Sequence, residues 1–112
     1  MAVIDTNITI ERFKKGLEIH ENITIVTAIE FPPVLSYDKF RGNVYTLTPK
    51  DQVLAVKIQR LLRKIGKPKS CSDILVASIC INRDEELITK DEDFLDIAKV
   101  SNLKVKIVGR NL

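Results

Sequence analysis

Histidine is almost missing from this sequence. His20 is its single imidazole, and it stands among polar residues near an expected helix end, so neither a Ser-His-Asp triad nor a zinc-imidazole site has its parts. Cysteine is nearly as scarce. Cys71 and Cys80 are the two thiols, both in or beside an apolar helical pattern and without a Cys-x-x-Cys or Cys/His pairing, so both read as buried rather than redox-active. Long hydrophobic runs are lacking too: a polar residue interrupts each one well before it could cross a bilayer. Met1-Ala2-Val3-Ile4-Asp5 carries no basic leader. The expectation is a soluble, cytoplasmic protein without membrane association.

What is present fits one compact domain over residues 1–112, with 45% apolar and 29% charged residues and a core large enough to stand alone. The net charge of +3 says little by itself. Its distribution says more. Lys57, Arg60, Arg63, Lys64, Lys67 and Lys69 follow one another with no acid among them, and the first five recur at helical spacing on one side. Such a stripe reads either as a solvated helix face or as a seat for a polyanion.

Ala2-Val3-Ile4 is a short buried-strand signal, and Asp5-Thr6-Asn7 is a polar cluster of the kind that ends a strand and caps a helix. The helical pattern of Ile8, Ile10, Phe13, Leu17 and Ile19 is expected to end near His20-Glu21-Asn22. A β-branched strand, Ile23 to Thr27, then leads to Glu30. Pro32-Pro33 obliges any following helix to start or bend there. Val44 to Leu47 is extended, and Thr48-Pro49-Lys50-Asp51 opens a long helix that ends at Gly66. Val53, Leu54, Val56, Ile58, Leu61, Leu62 and Ile65 are expected on its inner face. Ser70 to Asp73 opens a helix apolar almost all round, hence buried. Leu87-Ile88-Thr89 is a strand, Asp93 to Lys99 a short helix, and Leu103 to Val108 a last, edge strand. Strands alternating with helices imply an α/β domain with a short parallel sheet flanked by helices.

Acids recur where these strands end and helices begin. Each has a plain explanation in capping: Asp5 precedes a helix, and Thr27 to Glu30, Ser70 to Asp73 and Thr89 to Glu92 all match a hydroxyl followed three residues later by an acid. Capping explains each singly. It explains less well why all of them fall at one end of one sheet, where an open α/β fold collects its ligands. Asp5, Glu30, Asp73 and Asp91 or Asp93 would converge there, and converging carboxylates repel unless a cation is shared. Carboxylates without histidine or thiolate suit Mg²⁺ or Mn²⁺.

In order and context, Asp5-Thr6-Asn7, Glu30, Asp73 and Thr89-Lys90-Asp91-Glu92-Asp93-Phe94 resemble the PIN domain, of the kind found in VapC-type toxins. The resemblance spans nearly the whole chain. It implies a Rossmann-like, metal-dependent ribonuclease that is the toxin of a toxin–antitoxin pair, dimeric and neutralised by a cognate antitoxin. By position it implies Asp5, Glu30, Asp73 and Asp91 as the catalytic acids, Asp5, Asp73, Asp91 and Asp93 as metal ligands, and Thr6, Asn7 and Thr89 in support. The chain departs from that pattern in a reduced segment between Glu30 and Tyr45 and in Pro32-Pro33 directly after Glu30. The chemistry implied is metal-assisted phosphodiester hydrolysis, with Glu30 positioning the attacking water or a second ion. RNA would lie along Lys57, Arg60, Arg63, Lys64 and Lys67. Two alternatives stand: a non-catalytic RNA-binding module of the same fold, against which the full set of acids speaks, and a phosphoacceptor receiver domain, which wants a pair of acids where this chain has Asp5-Thr6-Asn7.

Overall fold

The computed structural model describes residues 1–109. Its strands are β1 (Ala2–Ile4), β2 (Ile23–Thr24), β3 (Val44–Tyr45), β4 (Glu86–Thr89) and β5 (Val105–Ile107); its helices are α1 (Thr6–Lys14), α2 (Ile25–Glu30), α3 (Pro49–Lys64), α4 (Cys71–Asn82) and α5 (Asp93–Lys99), with a 3₁₀ turn over Pro32–Ser36. All strand pairings are parallel. β1, β4 and β5 form one sheet in that order, β2 and β3 another. A parallel bridge between Val3 and Asn22 joins the two, so the strands run β3, β2, β1, β4, β5 across the molecule.

Alternation along the central strands gives each face its own core. Val3 and Leu87 pack with Ala55, Ile58 and Leu62 of α3, Ala77 and Cys80 of α4 and Phe94 and Ile97 of α5. Their neighbours Ile4 and Ile88 face the other way, with Ile8 of α1, Ile19, Ile23 and Val34. Helices therefore cover both faces of the sheet, and β5 lies at its edge as expected. Among the described residues no helix is long and apolar enough to cross a membrane.

Three helices end in the same way. After α1, the Gly16 N–H donates to the Phe13 carbonyl and Leu17 N–H to Arg12, with Gly16 left-handed at φ 67°. Gly66 and Lys67 close α3 through Arg63 and Leu62, and Asp84 and Glu85 close α4 through Ile81 and Cys80. These are Schellman ends, which satisfy last-turn carbonyls through one left-handed residue. Asp84 takes that role at φ 53° without being glycine. Gly16 thus stops α1 well before His20, where the apolar spacing alone had placed its end.

Two further expectations are corrected. The strand read over Ile23 to Thr27 lasts only through Thr24, and Ile25 to Glu30 turn into α2, so Glu30 closes a helix instead of following a strand. Burial of Thr27 and Ala28 against neighbouring elements outweighs the β preference of a branched run, and Pro32 then stops the helix. On α3 the inner stripe is Asp51, Ala55, Ile58 and Leu62, while Val53, Val56 and Ile65 are exposed. Steps of four, three and four residues keep one face inward, and Val53 and Val56 fall off it. Cys80 is buried, its thiol pushed up to about 12 by that burial, but Cys71 is exposed, contrary to the reading of both as buried.

Candidate metal centre

The strand order fixes where a site belongs. The chain leaves β1 on one side toward β2 and returns on its other side at β4, so the switch point lies between β1 and β4, and ligands of open α/β sheets collect beyond the carboxyl ends of such strands. Asp5 follows β1; Thr89 ends β4. Register pairs Ile4 with Ile88, which sets Asp5 beside Thr89, and the Thr89 hydroxyl donates to Asp5 Oδ2.

A relay of hydrogen bonds extends from that contact. Ile8 N–H donates to Asp5 Oδ1 at 3.3 Å, so Asp5 is the N-cap of α1 while its other oxygen holds Thr89. Asp91 N–H donates to the Thr89 hydroxyl at 3.0 Å, and Asp93 N–H to Asp91 Oδ1 at 2.9 Å. Thr89, fully buried, is therefore spent on the site and not on capping α5. From the opposite wall, Asp73 sits in the first turn of α4, its N–H held by the Ser70 hydroxyl at 3.3 Å. One carboxylate oxygen from each of Asp73, Asp91 and Asp93 lies within 4.8 Å of the others.

These groups open on a cleft of about 280 Å³ lined by Asp5, Thr6, Asn7, Glu30, Ser72, Asp73 and Asp91 over a floor of Val26, Val76 and Phe94. Glu30 stands at its mouth, exposed. The Thr6 hydroxyl donates to Glu30 Oε1 at 2.6 Å and lies 3.0 Å from the Thr27 hydroxyl. Asp93 is exposed at the rim.

Burial is the main reason the Asp5 carboxyl is held above its ordinary value, with the Asp91 charge adding to it and the bonds from Thr89 and Ile8 working against it. Asp73 is raised as well, by burial first and then by the charges of Asp91, Asp93 and Asp5, against the Ser70 bond. The cleft thus gathers negative charge at a cost that a hard divalent cation would remove, and an all-oxygen donor set is what such a cation prefers. The residues fit Mg²⁺ or Mn²⁺.

The basic stripe is less uniform than its spacing. Lys57, Arg60, Arg63, Lys64 and Lys67 are all exposed. Lys57 lines a separate cleft with Leu61, Ile81 and Asn102, whereas Lys67 approaches Asp96 of α5 at 3.7 Å. Reading by residue type passed over Ser72 in the lining and Lys69, whose ammonium lies 3.6 Å from Asp93. The one sequence signal for Lys69 is that it falls off the helical stripe.

The order of strands and the cleft between β1 and β4 are those of a Rossmann-like α/β fold, which solved VapBC structures share. Comparison of the sequence with protein-family models and with curated proteins finds no match. Solved structures do match. VapBC from Salmonella typhimurium bound to DNA superposes with a TM-score of 0.77 at 16% identity, covering 96% of this chain and 98% of that one. VapBC-1 from nontypeable Haemophilus influenzae gives 0.73 at 18% identity, covering 95% and 96%. VapBC-5 from Mycobacterium tuberculosis, a toxin–antitoxin system, gives 0.72 at 17%, covering 96% and 98%.

Proposed function

We propose that this protein is a Mg²⁺- or Mn²⁺-dependent endoribonuclease, the toxin of a toxin–antitoxin pair acting in the cytoplasm. The observation that carries the reading is the meeting of Asp73, Asp91 and Asp93 within 4.8 Å at the strand switch point, on a fold that solved VapBC structures share.

Asp73 and Asp91 would hold the ion, with Asp5 lining the same cleft and Asp93 close by. When bound, the ion supplies Lewis acidity at the scissile phosphate and charge to offset the leaving oxygen. The chain's own contribution is position. Thr89 fixes Asp5 and the Asp91 backbone together; Thr6 aims Glu30 across the mouth, where its carboxylate orients a water. The exposed bases Lys57, Arg60, Arg63, Lys64 and Lys67 attract RNA through its phosphates, and such contacts act through counterion release. Exposed apolar residues offer surface for partners: Ile29 and Leu35 suit an antitoxin segment, and the groove lined by Ala55, Val56, Cys71, Ile74 and Leu75 suits a second copy.

The test is cleavage of single-stranded RNA by the purified protein. Turnover with Mn²⁺ or Mg²⁺, its loss in chelator and its loss in Asp73→Asn are expected. Metal-independent cleavage, or binding of RNA with no cleavage under any ion, would return the chain to the reading of a non-catalytic RNA-binding module.

A further inference from the structure

Lys69 is the sixth base of the run after Lys57, and the only one of the six with little exposure; its side chain is 12% exposed. It is held at both ends. Gln59 of α3 donates to the Lys69 carbonyl at 2.7 Å and accepts from the Lys69 N–H at 3.1 Å, fixing the backbone. At the other end Asp96 Oδ2 lies 2.8 Å from the ammonium, and Asp96 is itself only 17% exposed. The ammonium so anchored stands 3.6 Å from Asp93 Oδ1. Asp73, by contrast, has the charges of Asp91, Asp93 and Asp5 about it. One corner of the acidic cluster is therefore neutralised by the protein and the rest is not.

We propose that the Lys69 ammonium takes the place of a second divalent ion beside Asp93, so that the cleft binds one ion, through Asp73 and Asp91. The inference rests on the metal-dependent reading above and adds to it the number of ions. In two-metal phosphodiesterases a pair of ions about 3.5–4 Å apart clamps the attacking and leaving oxygens. Here a positive charge fixed at one side of the cluster repels a second cation and supplies part of what that cation would give. A lysine suits this because its ammonium is a compact point charge. Lys69 is thus a positioning residue: its charge stands beside Asp93 and leaves Asp73 and Asp91 to the ion.

Calorimetric titration of the intact protein with Mn²⁺ reads the number of ions directly. Wild type and Lys69→Arg should each take one ion per chain; Lys69→Met, which keeps the length of the stem but removes the charge, should take two, the first about tenfold more tightly, as expected for loss of one adjacent like charge. Asp73→Asn should abolish binding. Circular dichroism establishes that each variant is folded, and should Lys69→Met not fold, Lys69→Gln takes its place beside the wild-type count. Two ions in wild type, or one ion in a folded Lys69→Met or Lys69→Gln, overturns the inference and leaves the metal reading intact. No ion bound by any variant overturns both.

Discussion

Asp51 and Asp73 each stand three residues after a hydroxyl at the start of a helix, and the protein treats them in opposite ways. Asp51 is fully buried, yet its carboxylate is saturated: Thr48 N–H at 2.8 Å, Asn82 Nδ2 at 2.7 Å and Arg83 at 3.3 Å all donate to it. Burial pushes its pKa up, and those hydrogen bonds together more than reverse the effect, leaving it below the ordinary carboxylate range. Arg83 in turn lies over the Tyr45 ring, and Tyr45 accepts from Asn22. Asp73 is less buried, but burial still raises it, the Ser70 bond is too little to offset that, and the charges of Asp91, Asp93 and Asp5 add to it, so it ends above its ordinary value. Where an acid serves the fold it is satisfied; where it serves a cleft it is left in want of a cation.

The largest expected effect breaks the satisfied side. Asp51→Ala removes the capping partner of Thr48 and strands Arg83 and Asn82, and should cost about 3–5 kcal/mol, the range for breaking one side of a buried ion pair. Urea denaturation measures it, and a loss under 1 kcal/mol would mean the network is dispensable. Asp91→Asn acts on the other side: RNA cleavage should fall at least about a hundredfold, with stability unchanged or slightly raised as repulsion is relieved.

Divalent ions should sharpen the contrast next. An ion that binds only the folded chain stabilises it by about 2.7 kcal/mol at a hundred times its dissociation constant, so millimolar Mn²⁺ should raise the melting temperature of wild type and of Asp51→Asn but not of Asp73→Asn. Equal shifts in all three would place the ion elsewhere.

Acid titration separates the two regions by sign. Asp51, depressed in the folded state, contributes stability that is present above the ordinary value of 3.8 and is lost as pH falls through its lower folded pKa. Asp5 and Asp73 are raised, so in metal-free buffer their contribution falls as pH rises from 3.8 through their folded values. Chemical denaturation at stepped pH should find that Asp73→Asn removes part of the second trend and none of the first. The smallest effect belongs to Asp93→Asn, which should lose roughly 0.3–1 kcal/mol from a weakened helix start and less activity than Asp91→Asn; the reverse order would exchange their roles.

Much of this was legible because strong local signals agree with the fold. Thr48-Pro49-Lys50-Asp51 and Gly66 bound α3 in the sequence as they do in space, and the apolar ring of α4 announced its burial. Asp5 after β1 and Asp91 after β4 stand where the sequence pattern expects acids, whereas Glu30 closes a helix and Asp73 follows another helix, not a strand. What escaped depended on partners far along the chain. Nothing near Ile25 says that Thr27 will be buried and will lie against Thr6, so Ile25 to Thr27 read as the end of a strand. The aliphatic residues of α3 outnumber one face, and the stripe that turns in begins at the polar Asp51, so Ala55 faces the core and Val56 does not. Lys69 looked like one base among six because its clamp by Gln59 and Asp96 comes from two other elements.

Thr89 bridges Asp5 across 84 positions of sequence, and that separation has a meaning in time. On the ribosome, where chains grow at roughly 5–20 residues per second, β1 is made first and waits for β4 before its inner edge is paired. Until then Asp5 has no Thr89 and Asp91 does not yet exist, so a half-made chain cannot assemble the cleft. Synthesis itself thus sets a delay between the appearance of this polypeptide and the appearance of its chemistry.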